Sequence, residues 1–394
     1  MFSLARYTQL LDRPGMRPLF LASLLGRLPI GISGLAILLL AQQASGSFAL
    51  GGLASASYVA GLSIAAPLLG RSIDRFGPRR TLRACALLHP SALATLVAAF
   101  ALSAPAWVSL ALAAAAGASF PPITACMRAF FRQELREEAQ LAVAYSLESV
   151  LIEFLFIAGP LLVALFVAYA SPEAALLFAC TCAFAGALRF ASNPALERWR
   201  IVARRGASLA GPLGEPRFVR LLAVIVLYSA AFGLVEIAVT AHAAERGAPP
   251  LAGVLLGAMS VGGVFGGLAY GARTWSAPAA RQFPLALASM GAGIAPLALA
   301  LPLWAWALAC ALAGATMAPA LILQSMLVAR CSRSEHSAEA FTWSATGLLA
   351  GIGIGLALGG ELLEAVRPPA VFVLAAALSV AAGALALRFA RTAR

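Results

Sequence analysis

Apolar stretches of about 20 residues recur from one end of this sequence to the other, and they restrict the fold more than any other feature. Each is long enough to cross a hydrocarbon layer of ~30 Å as a helix rising about 1.5 Å per residue. Lipid offers no water to unpaired backbone groups, so these stretches are predicted to be α-helices. With 61% apolar and 11% charged residues, the chain is too apolar for a soluble domain.

The pattern predicts an all-α membrane protein with twelve transmembrane helices. The predicted spans are residues 18–43, 49–70, 82–103, 106–127, 141–169, 173–192, 218–243, 250–271, 283–301, 303–327, 338–363 and 369–389. Residues 1–16 are expected to form a short polar lead. The first span is too long and too late in the chain for a cleaved signal peptide.

The longest polar connection predicts where the chain divides. Residues 193–216 contain several arginines together with Gly211 and Pro212, which is typical of a linker. We therefore expect an amino-terminal six-helix bundle at 1–192, a cytoplasmic linker, and a carboxy-terminal six-helix bundle at 217–394.

Short matches between the halves indicate a duplication of six spans. Ala118-Ser-Phe-Pro-Pro122 in span 4 recurs as Ala315-Thr-Met-Ala-Pro319 in span 10. Gly34-Leu35 in span 1 recurs as Gly233-Leu234 in span 7, at nearly the same offset. Two pseudo-symmetric halves that rock about a central site are the means by which many secondary carriers alternate access.

The arginines predict the orientation in the membrane. With the amino terminus in the cytoplasm, all of them except Arg27, Arg246 and Arg367 fall in cytoplasmic segments, including Arg128 and Arg132 after span 4. Short cytoplasmic loops retain positive charge during insertion, so both termini are expected on the cytoplasmic side of a bacterial-type inner membrane. The net charge of +12 lies between spans rather than on a folded basic face, which excludes nucleic acid as a partner.

Other classes of function are excluded by motifs that the sequence lacks. All 28 basic residues are arginine, so the Gly-Lys-Ser/Thr end of an ATP-binding loop is absent. There is no His-Glu-x-x-His and no Gly-x-Ser-x-Gly, which argues against an intramembrane enzyme. The six cysteines show no metal-ligand spacing, and we expect no disulfide, no metal and no cofactor.

The loop after span 2 has a recognisable spacing of glycine, acidic and basic residues. Its members are Gly70, Asp74, Arg75, Gly77, Arg79 and Arg80. This spacing resembles the signature loop of the major facilitator superfamily, and the span count, the linker and the repeat extend the resemblance over the whole chain. It implies a monomeric secondary transporter that moves a small-molecule substrate by alternating access, commonly together with protons.

The same loop is predicted to act as a cytoplasmic gate. Gly70 would let span 2 approach a neighbouring helix, and Gly77 would permit a tight reversal of the chain. Asp74 would meet a helix amino terminus, which in the family is the start of span 11, here near Ala338. The alternative is a solvated charged turn that serves only topology. The second half retains only a degenerate copy, Gly271-Ala-Arg273.

Span 5 contains Gly159-Pro160, which resembles the helix-bending signature of the drug:proton antiporter branch and implies efflux. That branch usually carries a buried arginine in span 4, where this chain has Leu112-Ala-Ala-Ala-Ala-Gly117, so proton coupling by that residue is not expected. An uptake symporter and a transport-inactive, receptor-like protein are the alternatives to an exporter.

Glycines at helical spacing predict close helix contacts. Span 11 has a stripe of four, Gly347, Gly351, Gly355 and Gly359, and span 8 is also rich in glycine. By analogy with the family, spans 2 with 11 and 5 with 8 would cross between the halves. Static packing explains the same glycines equally well.

Ionisable residues inside the predicted spans are the candidates for chemistry, since a charge at the bilayer centre costs about 2.5–3.5 kcal/mol on insertion scales. They are Arg27, Glu148, Glu153 and Glu236. Glu153, near the middle of span 5, is the first candidate for proton coupling. Arg27 stays charged and needs a carboxylate or an anionic substrate, and a permanent bridge to a glutamate is the alternative. Glu236 is expected in an outer vestibule or at the membrane surface.

Polar and aromatic residues of the inner spans are the candidates for lining a cavity. They are Tyr58, Tyr145, Tyr228, Phe232, Gln324 and Trp343. Aromatic rings among small residues suit an amphipathic organic substrate, and each ring is also compatible with packing alone.

Overall fold

α-Helices make up nearly all of the chain that the computed structural model describes, namely residues 5–46, 48–201, 210–246 and 251–391. No β-strand occurs within these ranges. Eleven helical segments there are long and apolar enough to cross a membrane. The ninth predicted span is occupied by a shorter helix of 16 residues followed by the 3-10 turn Ala295–Ala298. The predicted all-α membrane architecture is confirmed.

The helices follow one another through short connections, and each predicted span coincides with one or two of them. In chain order they are α1 (Ala5–Leu11), α2 (Met16–Arg27), α3 (Pro29–Ser45), α4 (Phe48–Phe76), α5 (Pro78–Ala101), α6 (Ala106–Ala118), α7 (Ile123–Glu134), α8 (Glu138–Tyr169), α9 (Pro172–Ala191), α10 (Pro216–Glu245), α11 (Leu251–Ala272), α12 (Ala279–Ile294), α13 (Leu303–Cys331), α14 (Ser337–Ala365) and α15 (Pro368–Arg391).

Two spans consist of a pair of helices separated by a break. The first span changes helix at Leu28, directly before Pro29, and the fourth changes helix at Pro121 and Pro122. Proline lacks the N–H group that would continue the helical hydrogen bonds, and it disfavours a helical residue before it. As a result, Arg27 lies at the end of α2 and α7 begins within the fourth span.

The described part of the predicted polar lead forms a short helix. Residues Ala5–Leu11 form α1, in which Tyr7 and Leu10 are buried. The Tyr7 hydroxyl donates to the Leu268 carbonyl at 2.9 Å and lies 3.0 Å from the Ser146 hydroxyl. This short helix therefore packs across the ends of α8 and α11.

The predicted linker, residues 193–216, contains two short 3-10 helices, Pro194–Arg198 and Gly211–Gly214. Its residues 202–209 lie outside the described ranges. The first of these 3-10 helices packs onto the amino-terminal half, where Arg198 pairs with Glu134 of α7 at 3.0 Å.

The turn between α4 and α5, the linker and the start of α14 meet at one end of the molecule, which we call the linker face. Arg79 lies 3.3 Å from Glu197 of the linker. Arg71 of α4 lies 2.6 Å from Glu339 of α14, so this face joins the two halves of the chain.

Equivalent glycine contacts in the two halves support the duplication. Gly117 of α6 lies directly against the backbone of Tyr58 in α4, and Gly314 of α13 lies in the same way against Met259 in α11. A Cβ atom at either glycine would overlap a backbone carbonyl, so each crossing requires glycine.

A second pair of close crossings joins the first span to the fifth and the seventh to the eleventh. Gly31 of α3 touches Gly159 of α8 backbone to backbone, and Gly233 of α10 lies against Gly355 of α14. Corresponding spans of the two halves therefore meet through glycine in the same way.

The glycine stripe of the eleventh span packs within its own half. Its members Gly347, Gly351, Gly355 and Gly359 face Leu222, Ser229, Ala230 and Ile237 of α10, respectively. Static packing against α10 therefore explains this stripe. Contacts between the halves join α4 with α14 and α8 with α11, the two pairs that the family resemblance implied, and also α7 with α14 and α8 with α13.

Candidate functional site between the two halves

A buried ion pair joins the first and fifth spans. Arg27 donates to both carboxylate oxygens of Glu148, at 2.9 and 3.0 Å, and both side chains are fully buried. The Arg27 Nε also donates to the Ser23 carbonyl at 3.2 Å, and Thr124 of α7 lies 3.4 Å from Nη1. Of the glutamates inside the predicted spans, the structure pairs Glu148 with Arg27.

Arg128 lies inside the fourth span, and its assignment to a connecting loop was wrong. α7 continues beyond it, so Arg128 stands one helical turn from Thr124, beside the buried ion pair. Its Nε is closed off from solvent and has no hydrogen-bond acceptor among the described residues. Arg27, Glu148 and Tyr228 are all close enough to interact electrostatically with the Arg128 guanidinium. In the described part of the chain its guanidinium has no carboxylate partner.

The spacing of polar residues was the signal that locates Arg128. Thr124, Arg128 and Arg132 are four residues apart and therefore share one face of a helix. Met127 and Phe131 beside them are buried, so the apolar environment of the span extends past its predicted end.

The carboxy-terminal half contributes a buried polar chain at the same level. The Tyr228 hydroxyl donates to the Gln324 side-chain oxygen, and the Gln324 amide donates to the Ser344 hydroxyl at 2.7 Å. Phe232 packs edge-on against Tyr228, with ring centroids 5.5 Å apart. Trp343 is half-buried. Residues of α10, α13 and α14 thus form a polar cluster in the carboxy-terminal half, on the side that faces Arg128.

Glu153 faces the carboxy-terminal half rather than Arg27. Its carboxyl group interacts with the Ser260 hydroxyl of α11 and lies over Gly263, where the absence of a side chain leaves room for it. No ion pair to Glu153 occurs among the described residues. Glu236 is exposed on α10, two turns from Tyr228, and does not join the buried cluster.

Two of the predicted cavity residues have other positions. Tyr58 packs inside the amino-terminal half, 6.2 Å from the His89 ring, and is not brought to the Tyr228 cluster. Tyr145 is buried between Phe131 of α7 and Phe341 of α14, at centroid distances of 6.3 and 6.1 Å. It therefore closes the space between the halves instead of lining it.

Asp74 connects α4 to the start of α14. Its two carboxylate oxygens accept hydrogen bonds from the backbone N–H groups of Ala338 and Glu339, at 2.9 and 2.8 Å. These N–H groups have no partner within the first turn of α14, and the helix dipole favours a negative charge there. Gly70 lies against Thr342 so closely that a Cβ atom would have no space.

The other residues of the signature loop also lie on the linker face. Gly77 is buried and directly precedes α5 with a φ of 81°, a conformation that favours glycine. Arg75 stacks over the Phe76 ring at 5.0 Å. Arg79 contacts Glu197 of the linker, and Arg80 is exposed.

Further polar contacts close the linker face between the halves. Arg132 donates to the Ser332 hydroxyl at 2.9 Å and also to its carbonyl. Glu138 lies 2.5 Å from Arg330 and accepts from the Ala279 N–H at 3.0 Å. These contacts join the two halves at the linker face, one helical turn from Arg128.

The Gly159-Pro160 pair serves the packing of α8. Gly159 allows the backbone contact with α3, while Pro160 lies inside α8 with its ring exposed. α8 continues to Tyr169, so the proline does not end the helix.

The sequence identifies the family. The sequence pattern of the Major Facilitator Superfamily matches residues 19–323, which is more than half of the chain. The protein therefore belongs to this superfamily of membrane transporters, as the signature loop predicted. No curated protein is similar enough in sequence to give a significant match.

Solved transporter structures share the whole fold at low sequence identity. The human organic anion transporter MFSD10 (TETRAN) has a TM-score of 0.73 at 19% identity, covering 94% of this chain and 98% of its own. A bacterial homologue of the iron transporter ferroportin in an outward-facing state has a TM-score of 0.76 at 14% identity, with coverages of 96% and 99%. The proton:xylose symporter XylE has a TM-score of 0.70 at 15% identity, covering 95% of each chain. These likenesses establish the fold alone.

Proposed function

We propose that this transporter is a proton-coupled exporter of small organic solutes. In this proposal it works as a monomer in a bacterial-type inner membrane, with both termini and the linker face in the cytoplasm. The arginine-rich connections support the orientation, and the Gly159-Pro160 pair, typical of drug:proton antiporters, supports the direction.

The observation that carries the proposal is the position of Glu153. Its carboxyl group lies between α8 and α11, which belong to different halves, and has a hydroxyl beside it but no cation among the described residues. A carboxylate without a cation is costly inside a membrane, so protonation stabilises the closed contact between these helices. Separation of the halves would wet Glu153 and release the proton.

Glu148 is unsuited to the same role. Its carboxylate is fully buried and accepts two hydrogen bonds from Arg27, so the positive charge of Arg27 already balances its negative charge. We assign the Arg27–Glu148 pair to holding the first and fifth spans together, and proton coupling to Glu153.

Proteoliposomes with an imposed pH gradient provide the test. The uptake or release of a radiolabelled panel of organic acids, bases and neutral solutes is measured while an enclosed pH-sensitive dye records proton movement. Glu153→Gln should abolish gradient-driven transport and spare exchange of solute across the membrane, since exchange needs no deprotonation. Glu137→Gln, which removes an exposed acid at the start of the same helix, is the matched control and should transport normally.

The direction follows from the same measurement. Export requires solute to move against the direction of proton flow. Movement of solute together with protons would instead establish an uptake symporter, and full gradient-driven transport by Glu153→Gln would remove Glu153 from the coupling mechanism.

A further inference from the structure

Arg128 is a cation within the helices of the fourth span for which the described protein supplies no anion. Arginine cannot lose its proton in a protein, so it cannot escape the cost of burial by becoming neutral. The carboxylate of Glu148 is nearby, but both of its oxygens already accept hydrogen bonds from the Arg27 guanidinium. Arg27 and Arg128 therefore bring two positive charges against the single negative charge of Glu148, and the cluster retains one excess positive charge.

The surroundings of Arg128 resemble a binding site more than a packed core. The residue is only partly buried, so part of its side chain borders open space, while its Nε is closed off and has no acceptor among the described residues. Tyr228, which ends the polar chain through Gln324, stands across from it in the other half. Phe232 extends this cluster with an apolar ring at 5.5 Å from Tyr228.

We propose that Arg128 binds the anionic group of the transported solute, which is a small organic anion with a carboxylate or phosphate and an apolar or aromatic body. This inference rests on the proposed transport function and names its substrate class. A guanidinium matches carboxylate and phosphate oxygens with two parallel hydrogen bonds, which a neutral solute cannot provide. Phe232, which is only partly buried, would offer its ring to the body of such a solute, and the fully buried Tyr228 packs behind it.

Arg128 also lies next to contacts that join the two halves, so a bound anion would affect both of them. It is on α7 of the amino-terminal half, one turn from Arg132, which donates to Ser332 of the other half. Its own backbone carbonyl accepts a hydrogen bond from the Tyr145 hydroxyl at 3.2 Å, and the Tyr145 ring touches Phe341 of α14. Neutralisation of the guanidinium therefore acts next to the contacts that close the linker face.

Binding to the purified protein tests the proposal without a gradient. The probes are benzoate and phenyl phosphate, with benzamide as the uncharged match of the first, and binding is read as an increase in thermal unfolding midpoint and by titration. The acids should stabilise the wild-type protein and benzamide should not. Arg128→Gln should weaken binding of the acids at least about tenfold, since a hydrogen bond to a charged group contributes roughly that factor or more. Arg128→Lys should retain part of the affinity, and Arg189→Gln, which removes an exposed arginine from α9, should retain all of it.

Other outcomes overturn the inference. No stabilisation by either acid, equal stabilisation by benzamide, or unchanged acid binding in Arg128→Gln would each refute it. A response to phenyl phosphate alone or to benzoate alone identifies which anionic group is recognised. The unliganded Arg128→Gln should unfold no earlier than the wild type, because an unpaired cation stabilises nothing, and early unfolding would make Arg128 structural. Glu153→Gln should bind the acids normally, so a failure of proton coupling is distinguishable from a failure of anion recognition.

Discussion

Replacement of Glu148 by glutamine keeps the size of the side chain but leaves Arg27 without a counter-charge. Both side chains are fully buried, and two hydrogen bonds of 2.9 and 3.0 Å join them. Opposite charges about 4 Å apart attract by about 4 kcal/mol at an effective dielectric constant of about 20. Removing one partner of a buried pair costs a comparable ~3–5 kcal/mol. We expect Glu148→Gln to lose stability by this amount.

The cysteines of the chain provide the assay. Cys331 is half-buried and the other five are buried, so a thiol-reactive fluorogenic dye reports their exposure as the purified protein unfolds on heating. Glu148→Gln should unfold at a clearly lower temperature than the wild type. Replacing both partners, with Arg27→Met and Glu148→Leu, should restore most of the loss, because apolar residues of similar size often replace a buried pair without cost.

Glu153→Gln is the matched comparison on the same helix. The Glu153 carboxyl group has no cationic partner in the described chain, so its replacement should leave the unfolding temperature close to that of the wild type. If Glu148→Gln unfolds like the wild type, or if the double replacement is no more stable than Glu148→Gln, then the Arg27–Glu148 pair does not hold the fold together and the reasoning fails.

Two further predictions concern the linker face. Asp74→Asn removes a charge worth ~0.3–2 kcal/mol at a helix amino terminus and should open this face, so the distance between spin labels at Arg80 and Arg281 should lengthen; an unchanged distribution would limit Asp74 to a role in topology. A cysteine at Ala104 should react with an impermeant thiol reagent from outside the cell and one at Arg79 should not, and the opposite pattern would reverse the proposed orientation.

The spans and the contact of Asp74 were predictable because each depends on local sequence. Every apolar stretch must be helical and long enough to cross the hydrocarbon layer, so hydrophobicity alone locates the spans. The signature loop carries its own spacing, and the resemblance placed its partner near Ala338, where the structure has the two hydrogen bonds of Asp74. The role of this contact as a gate remains a proposal.

The pairing of charges was not predictable, because it depends on the rotation of one helix relative to another. Glu148 and Glu153 are five residues apart on α8 and point in different directions, and only the packing of α2 decides that Arg27 meets Glu148. Arg128 was assigned to a loop because a charge commonly marks the end of an apolar run. Its spacing of four residues from Thr124 and Arg132 was the better guide, since a charge on one face does not interrupt a helix.

The fifth span shows why a fixed ion pair and movable contacts occur on one helix. Along α8, Glu138 and Tyr145 contact the carboxy-terminal half, Glu148 contacts Arg27 in its own half, and Glu153 contacts the carboxy-terminal half again. If the halves rock apart as rigid units, the contacts of Glu138, Tyr145 and Glu153 must break. The contact of Glu148 with Arg27 must not. The contact that persists is a buried, bidentate ion pair, which is expensive to separate. The contacts that break involve a half-exposed ion pair, an aromatic edge and a carboxyl–hydroxyl pair, each of which exchanges for water or lipid at lower cost.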